Sequence, residues 1–474
     1  MGHILLIPFP VQGHVNPMMH LAWKLVSDGF LITFLNTDFN HHRIIQANTK
    51  NSIHNNCDRI RLISIPDGLP PEDKRNNLPK LFQALQNSMA PPVIHKLIQD
   101  INDREEDHNK ITAMIADIWT CFGLQAVADL CQISFAAFHP SFVSNCAIRY
   151  FGRRLVSLGL LYPDGAPKED KKVKYLESMP PLHCGDLPWL YGGEYIFEKG
   201  IRMGEEIKQI KWVLFNSVYE LEAPVVDELS KELGGIAYPI GPLIDFEFLQ
   251  SDARQTAETK ILPSFWTDEV DCLEWLDKQR LQSVIYVSFG SLAVWSERQV
   301  KELALALDAI QRPFLWVVRS DLMDGSEAVL PQGFLERIRD RGCIVSWAPQ
   351  LRVLSHPSIA CFVTHCGWNS LQESITMGVP MLCSPYFADQ FLNRTYIVDV
   401  WKVGLPLDTN RDGIIENWRL TEAVERLLVG EEGVDIRKRV IKLMEICRNT
   451  VKEGGLAYRN YYRFIEGMKK QLIH

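Results

Sequence analysis

The sequence predicts an α/β protein with two doubly wound, Rossmann-like domains. Short apolar runs alternate with helical periodicity up to about residue 242, and the alternation resumes at about residue 269. Between them, over Leu243 to Asp268, periodicity fades and FLQSDARQTAETK is small and polar, as a linker is. Several apolar runs end in polar or glycine turns, the position where open α/β sheets hold their ligands.

The first half opens on a strand, His3 to Phe9, followed by a loop, Pro10 to Asn16, that contains Gln12-Gly13-His14. Met18, Leu21, Ala22, Leu25 and Val26 then follow at helical spacing, Asp28-Gly29 ends that helix, and Leu31 to Asn36 is a second strand. This βαβ opening lacks G-x-G-x-x-G, which counts against a nicotinamide or flavin enzyme. Leu78 to Ile98 reads as one helix and Ile111 to Ala116 as a strand ending in Asp117-Ile118-Trp119. Ile133 to Phe138 is a strand followed by His139-Pro140-Ser141, and Trp212 to Asn216 and Ala237 to Pro242 are two more. The irregular, aromatic-bearing stretch 145–210, with MPPLHCGDLPWL inside it, has the character of pocket lining or surface.

In the second half Cys272 to Lys278 is a short helix, and the strand Ser283 to Ser288 runs into Phe289-Gly290-Ser291. Ser296 and Gln299 form a capping box, ahead of a helix whose buried stripe is Val300, Leu303, Ala304 and Leu307. Phe314 to Arg319 is a strand. The last helix, Leu456 to Leu472, carries Tyr458, Tyr461, Tyr462, Ile465, Met468 and Leu472 on one face, a packing surface.

Composition narrows the function classes. The net charge is −8 without a basic cluster, so no nucleic-acid partner is expected. The 11 cysteines are scattered without C-x-x-C pairing, which suits a reducing compartment. No segment reaches the ~18 apolar residues of a membrane span, and a cytoplasmic protein is expected.

Chemistry concentrates in Trp347 to Gln390. Ile359 to Val363 is a buried-strand pattern, His365-Cys366-Gly367-Trp368 a turn, Asn369 and Ser370 are N-cap candidates, and Gly378-Val379-Pro380 ends the helix. A glycine turn feeding a helix leaves free N–H groups and a positive dipole end, a place for phosphate. Glu373, one turn after Ser370, can accept from sugar hydroxyls. Trp347 offers a flat face for a base and Gln350 a donor and an acceptor. Asp389-Gln390 supplies oxygens and an amide suited to hexose hydroxyls. Two residues stand out in the first half. His14 is an imidazole at a strand end, and Asp117 is a carboxylate able to orient it. From the residues alone each also has a plainer reading, a loop histidine bonding backbone and an acid capping the next helix.

The block resembles the signature box of plant family-1 UDP-sugar glycosyltransferases, in W-x-P-Q, H-x-G-W-N-S, the Glu three residues on, G-V-P and the terminal D-Q. P-x-Q-G-H-x-N-P at Pro10 to Pro17 matches the same family's N-terminal motif. The resemblance implies a GT-B architecture with an acceptor domain (1–242), a linker (243–268) and a UDP-sugar domain (269–455). A C-terminal helix (456–474) is implied to cross back onto the first domain. It implies an inverting UDP-glucose-dependent glycosyltransferase, with His14 as general base and Asp117 as its partner. Ser291, Trp347, Ala348, Gln350, His365, Gly367, Trp368, Asn369, Ser370, Glu373, Asp389 and Gln390 would hold the donor. In this family Gln at position 390 goes with glucose and His with galactose. Pro10, Trp119, Ser141 and Tyr386 would line the pocket of a phenolic, flavonoid or terpenoid acceptor. The family often has Trp-Thr after the strand that here precedes His139-Pro140-Ser141, so Ser141 is a substitute sugar contact. No metal or other cofactor is expected, since the chain has neither H-E-x-x-H nor D-x-D and His365 lacks a nearby second ligand. A monomer is expected. Two alternatives remain: a C-glycosyltransferase using the same donor, and a catalytically silent sugar-nucleotide-binding protein.

Overall fold

The computed structural model describes residues 2–50, 58–244, 246–249, 269–291, 295–319 and 330–471. Most of the predicted linker, residue 245 and 250–268, lies outside the described residues, as does Leu472. The chain divides into two units: Met1–Cys184, Trp189–Thr267 and Asn449–His474 form the first, and Gly185–Pro188 with Asp268–Arg448 form the second.

The first unit is a parallel sheet of seven strands: β1 (His3–Ile7), β2 (Leu31–Thr37), β3 (Ile60–Ile65), β4 (Ile111–Asp117), β5 (Ser134–His139), β6 (Val213–Phe215) and β7 (Ala237–Pro239). Its strand order is β3-β2-β1-β4-β5-β6-β7. The direction of winding reverses between β1 and β4, which makes their carboxyl ends the topological switch point. All five residues of β1 are buried, as expected of a parallel strand with both faces covered.

Four expectations change here. The opening helix is Gln12–Ser27, so Gln12, Gly13 and His14 belong to its first turn and not to a loop. Gly13 read as a loop residue, but first-turn N–H groups have no helical partner to lose and a glycine there costs little, while Pro17 lies further inside the same helix. The predicted helix Leu78 to Ile98 is two helices, Leu78–Ser88 and Pro91–Asn102. Pro91 and Pro92 cannot donate back into the first helix, yet suit the start of the second. The last strand stops at Pro239. Within the irregular 145–210 stretch Trp189 is only 1% exposed and its indole N–H donates to the Gly165 carbonyl (2.9 Å), so part of that segment is core.

The second unit holds a parallel sheet of six strands: β8 (Val284–Ser288), β9 (Phe314–Val317), β10 (Gly342–Val345), β11 (Ile359–Thr364), β12 (Met381–Cys383) and β13 (Gly404–Pro406). Its order, β10-β9-β8-β11-β12-β13, places the switch point between β8 and β11. Ser296 caps the next helix by accepting from Gln299 N, but Gln299 does not close a capping box. Its side chain instead bonds both backbone groups of Ile415.

The C-terminal helix Leu456–Gln471 packs into the core of the first unit. Tyr461, Phe464, Ile465 and Met468 join Ile4, Val15, Met18, Leu25 and Trp212 there. Two of its tyrosines share one carboxylate: Tyr461 and Tyr462 donate their hydroxyls to Asp28 Oδ2 and Oδ1 at 2.6 and 3.2 Å. Tyr461 is fully buried, so losing its acceptor leaves an unpaired hydroxyl. Asp28→Ala should therefore destabilise the first unit by about 1–3 kcal/mol. Adding Tyr461→Phe should recover part of that loss in thermal melts. Additive losses in the double variant would show that the pair is not coupled.

Candidate functional site

The switch point of the first unit brings His14 and Asp117 together. β1 ends at Ile7, a tight turn follows in which Val11 N bonds Phe9 O (2.8 Å), and the helix begins at Gln12. This brings His14 over the end of β4, where its Nδ1 lies 2.7 Å from Asp117 Oδ2. The other carboxylate oxygen accepts from Trp119 N at 2.9 Å, so Asp117 both caps the local turn and faces the imidazole. Asp117 is fully buried, while the His14 side chain keeps 22% of its surface exposed. With Nδ1–H directed at the carboxylate, Nε2 is left as a lone-pair nitrogen.

An aromatic row lies beside the imidazole. Phe9 meets His14 edge-on (5.3 Å), Phe82 stacks on Phe9 (4.4 Å), and Trp119 meets Phe82 edge-on (5.2 Å). The Arg149 guanidinium stands 5.1 Å from the Trp119 ring. Of these, only Trp119 had a sequence signal; Phe9, Phe82 and Arg149 read as core or helix residues. Pro10 is buried and its carbonyl accepts from Asn40 Nδ2 (2.9 Å). Ser141 donates its N–H to His139 Nδ1 (3.1 Å), and burial, with the charges of His14 and Arg149, pushes His139 down to about 3. Tyr386 belongs to the second unit, where its half-exposed ring lies 6.4 Å from Trp295.

The switch point of the second unit is the turn after β11. His365 is wedged between two glycines: a Cβ on Gly290 would stand 2.6 Å from its ring and one on Gly367 2.4 Å from Nε2. Neither position tolerates a side chain, so glycine at both is a packing requirement. Burial pushes His365 down to about 4, so the ring is neutral near pH 7. Its Nδ1 is buried with no hydrogen-bond partner among the described residues. Ser291 follows Gly290, and its carbonyl accepts from Arg319.

The helix after the turn is Trp368–Met377, and its N-cap is Gly367 without a side-chain bond. Asn369 and Ser370 are therefore first-turn residues, not caps. The Ser370 hydroxyl has another partner: Gln350 Nε2 donates to it at 2.9 Å and to Glu373 Oε2 at 2.8 Å. Gln350, Ser370 and Glu373 thus form one cluster, and both amide hydrogens of Gln350 are committed to the helix. Burial pushes Glu373 up to about 7 against the opposing pull of Gln350. Trp347 carries the Arg319 guanidinium 5.6 Å from its ring, and Ala348 beside it is buried. Gln390 Oε1 accepts from Tyr386 N (2.8 Å) and Phe387 N (3.1 Å), which leaves its amide nitrogen, and not a full donor–acceptor pair, for a ligand. Asp389 precedes the helix Gln390–Thr395 and is half-buried.

The sequence matches two family models: "UDP-glucoronosyl and UDP-glucosyl transferase" over residues 270–432, and "Glycosyltransferase, N-terminal domain" over residues 3–158. It is 34% identical to UDP-glycosyltransferase 83A1 of Arabidopsis thaliana, over 99% of this chain and 97% of that protein. To 7-deoxyloganetin glucosyltransferase of Gardenia jasminoides it is 33% identical, over 98% and 97%. Among solved structures, a UDP-glucose:anthocyanidin 3-O-glucosyltransferase in complex with UDP superposes with a TM-score of 0.81 at 28% identity, covering 99% of each chain. A Polygonum tinctorium UDP-glucosyltransferase capable of glucosylating indoxyl does so at 0.80 and 26%, covering 98% of each. Two parallel-sheet units with these likenesses define a GT-B glycosyltransferase. The chain belongs to the plant family-1 UDP-glycosyltransferases and is an enzyme of that class. Among the described residues no helix is long and apolar enough to cross a membrane, and no group of three His, Cys, Asp or Glu could hold a metal ion.

The Glu373 environment makes a prediction independent of any ligand. Its folded pKa, about 7, lies above the ordinary value of 4.5, so the folded protein binds this proton more tightly than the unfolded chain. The stabilisation is full below pH 4.5 and is lost as pH rises through about 7. Glu373→Gln, always neutral, should gain melting temperature relative to the parent between pH 5 and 8. A pH-independent difference would show that the carboxyl does not titrate in that window.

Proposed function

We propose that this enzyme transfers glucose from UDP-glucose to a hydroxyl of a small lipophilic acceptor, inverting the sugar carbon to give a β-O-glucoside. The observation that carries this reading is the 2.7 Å contact between His14 Nδ1 and Asp117 Oδ2. It leaves Nε2 able to accept the hydroxyl proton of an acceptor. The acceptor oxygen then forms a bond to C1 of glucose as the C1–O bond to the diphosphate breaks, and UDP leaves with the electron pair. Asp117 is the positioning residue: it holds the tautomer and stabilises the imidazolium as it forms. The row Phe9, Phe82 and Trp119 suits an aromatic or terpenoid acceptor. Relatives in the same identity range include a 7-deoxyloganetin glucosyltransferase, a linamarin synthase and an (R)-mandelonitrile β-glucosyltransferase, all named for small-molecule products or acceptors.

On the donor side, Trp347 and Ala348 take the base, and Glu373 takes the ribose hydroxyls from within its cluster with Gln350. His365, Gly367, Trp368, Asn369, Ser370 and Ser291 take the diphosphate. The N–H groups at the start of helix Trp368–Met377 meet the charge that grows on the leaving group. Asp389 accepts from hexose hydroxyls and the Gln390 amide nitrogen donates to one. Proton transfer and leaving-group stabilisation are then both supplied by protein groups, and no metal is required.

His14→Ala tests this directly. Turnover on a hydroxyl acceptor should fall by about 10²–10⁴-fold, the usual scale for a lost general base, with UDP affinity unchanged by calorimetry. Acidic phenols, already ionised at the assay pH, should lose least. Near-native turnover of the variant on an unactivated alcohol would remove His14 from the base role.

A further inference from the structure

Cys366, in the turn after β11, adopts a left-handed conformation with φ of 63°. A residue with a Cβ resists that region, so the surrounding structure must hold it there. Two side-chain bonds do so. The Cys366 N–H donates to Thr364 Oγ1 at 3.2 Å, and the Cys366 carbonyl accepts from Asn393 Nδ2 at 2.8 Å. Asn393 comes from a different element, the helix Gln390–Thr395, one turn after Asp389, whose carbonyl accepts from Asn393 N at 2.8 Å.

Asn393 is fully buried, and its Oδ1 has no hydrogen-bond partner among the described residues. Burying an amide with one unmet oxygen works against folding, so stability alone does not account for it. What the side chain does achieve is a bond between two segments: the turn of His365 and Gly367, and the helix that begins with Asp389 and Gln390.

We propose that Asn393 is a positioning residue for the donor, holding the Cys366 turn and the Gln390–Thr395 helix in one register so that the diphosphate and the hexose are met together. This rests on the donor reading given above for the two segments. The side chain does not touch the reacting atoms. It acts through the backbone of Cys366, which sets the direction of the His365 ring and of the N–H groups at Gly367 and beyond.

The test is a double-substitution cycle read by calorimetric titration with UDP-glucose. Asn393→Ala should weaken binding by roughly tenfold, the scale of one lost hydrogen bond together with the turn it holds. Glycine enters the left-handed region without help, so in a Cys366→Gly background the same Asn393→Ala change should cost less than about threefold. Thermal melts establish that each variant is folded, and Asn393→Ser replaces Asn393→Ala if the latter is not. An equal loss in both backgrounds, or no loss in either, would overturn the positioning role. Failure of the unsubstituted protein to bind UDP-glucose would instead overturn the donor reading.

Discussion

The contact between His14 and Asp117 depends on one topological constraint: each parallel sheet reverses its winding direction after its first three strands. Reversal separates the connections that leave β1 and β4, and it opens space over their carboxyl ends. The helix that follows β1 begins within that space, so its first turn carries His14 to the end of β4. There the imidazole meets the carboxylate that terminates the neighbouring strand.

The same reversal shapes the second unit for a different task. Between β8 and β11 the chain offers two glycine-bearing turns that close on the His365 ring, with a helix starting immediately after. A neutral imidazole and the N–H groups and dipole at a helix start lie together there, with the buried Arg319 guanidinium bonded to the Ser291 carbonyl beside them, an arrangement that supports the diphosphate reading. In the proposed reaction the first unit supplies the proton acceptor at its switch point and the second supplies hydrogen-bond donors. Glycosyl transfer needs both, one at the nucleophile and one at the leaving group.

The sequence was most legible where local patterns decide structure. Apolar runs located the strands, and Gly378 after the last periodic residue marked the end of its helix. Helix starts were less legible. Gly13 suggested a loop around His14, although the helix already covers it, because first-turn positions tolerate residues that would weaken its interior. Candidate site residues could be proposed from the motifs and the family resemblance, but their partners within the fold could not. Gln350 is committed to Ser370 and Glu373, and Gln390 has spent its acceptor on the backbone of Tyr386 and Phe387. Those bonds are set by how a loop folds against a helix, which a linear pattern does not contain. Phe82 and Asn393 carried no signal at all, since an aromatic in a helical stripe and an asparagine in a short helix are ordinary residues in the sequence.

The central claim, that Asp117 holds His14 in the state that accepts a proton, is tested most directly by Asp117→Asn. The substitution preserves shape and size but places an amide where Nδ1–H needs a carboxylate, favouring the wrong tautomer. Measured as turnover of UDP-glucose with a neutral hydroxyl acceptor, the variant should fall by about 10²–10⁴-fold. UDP binding should be unchanged, because the substitution lies in the first unit and the residues proposed to bind UDP lie in the second. Near-native turnover by Asp117→Asn would contradict the account.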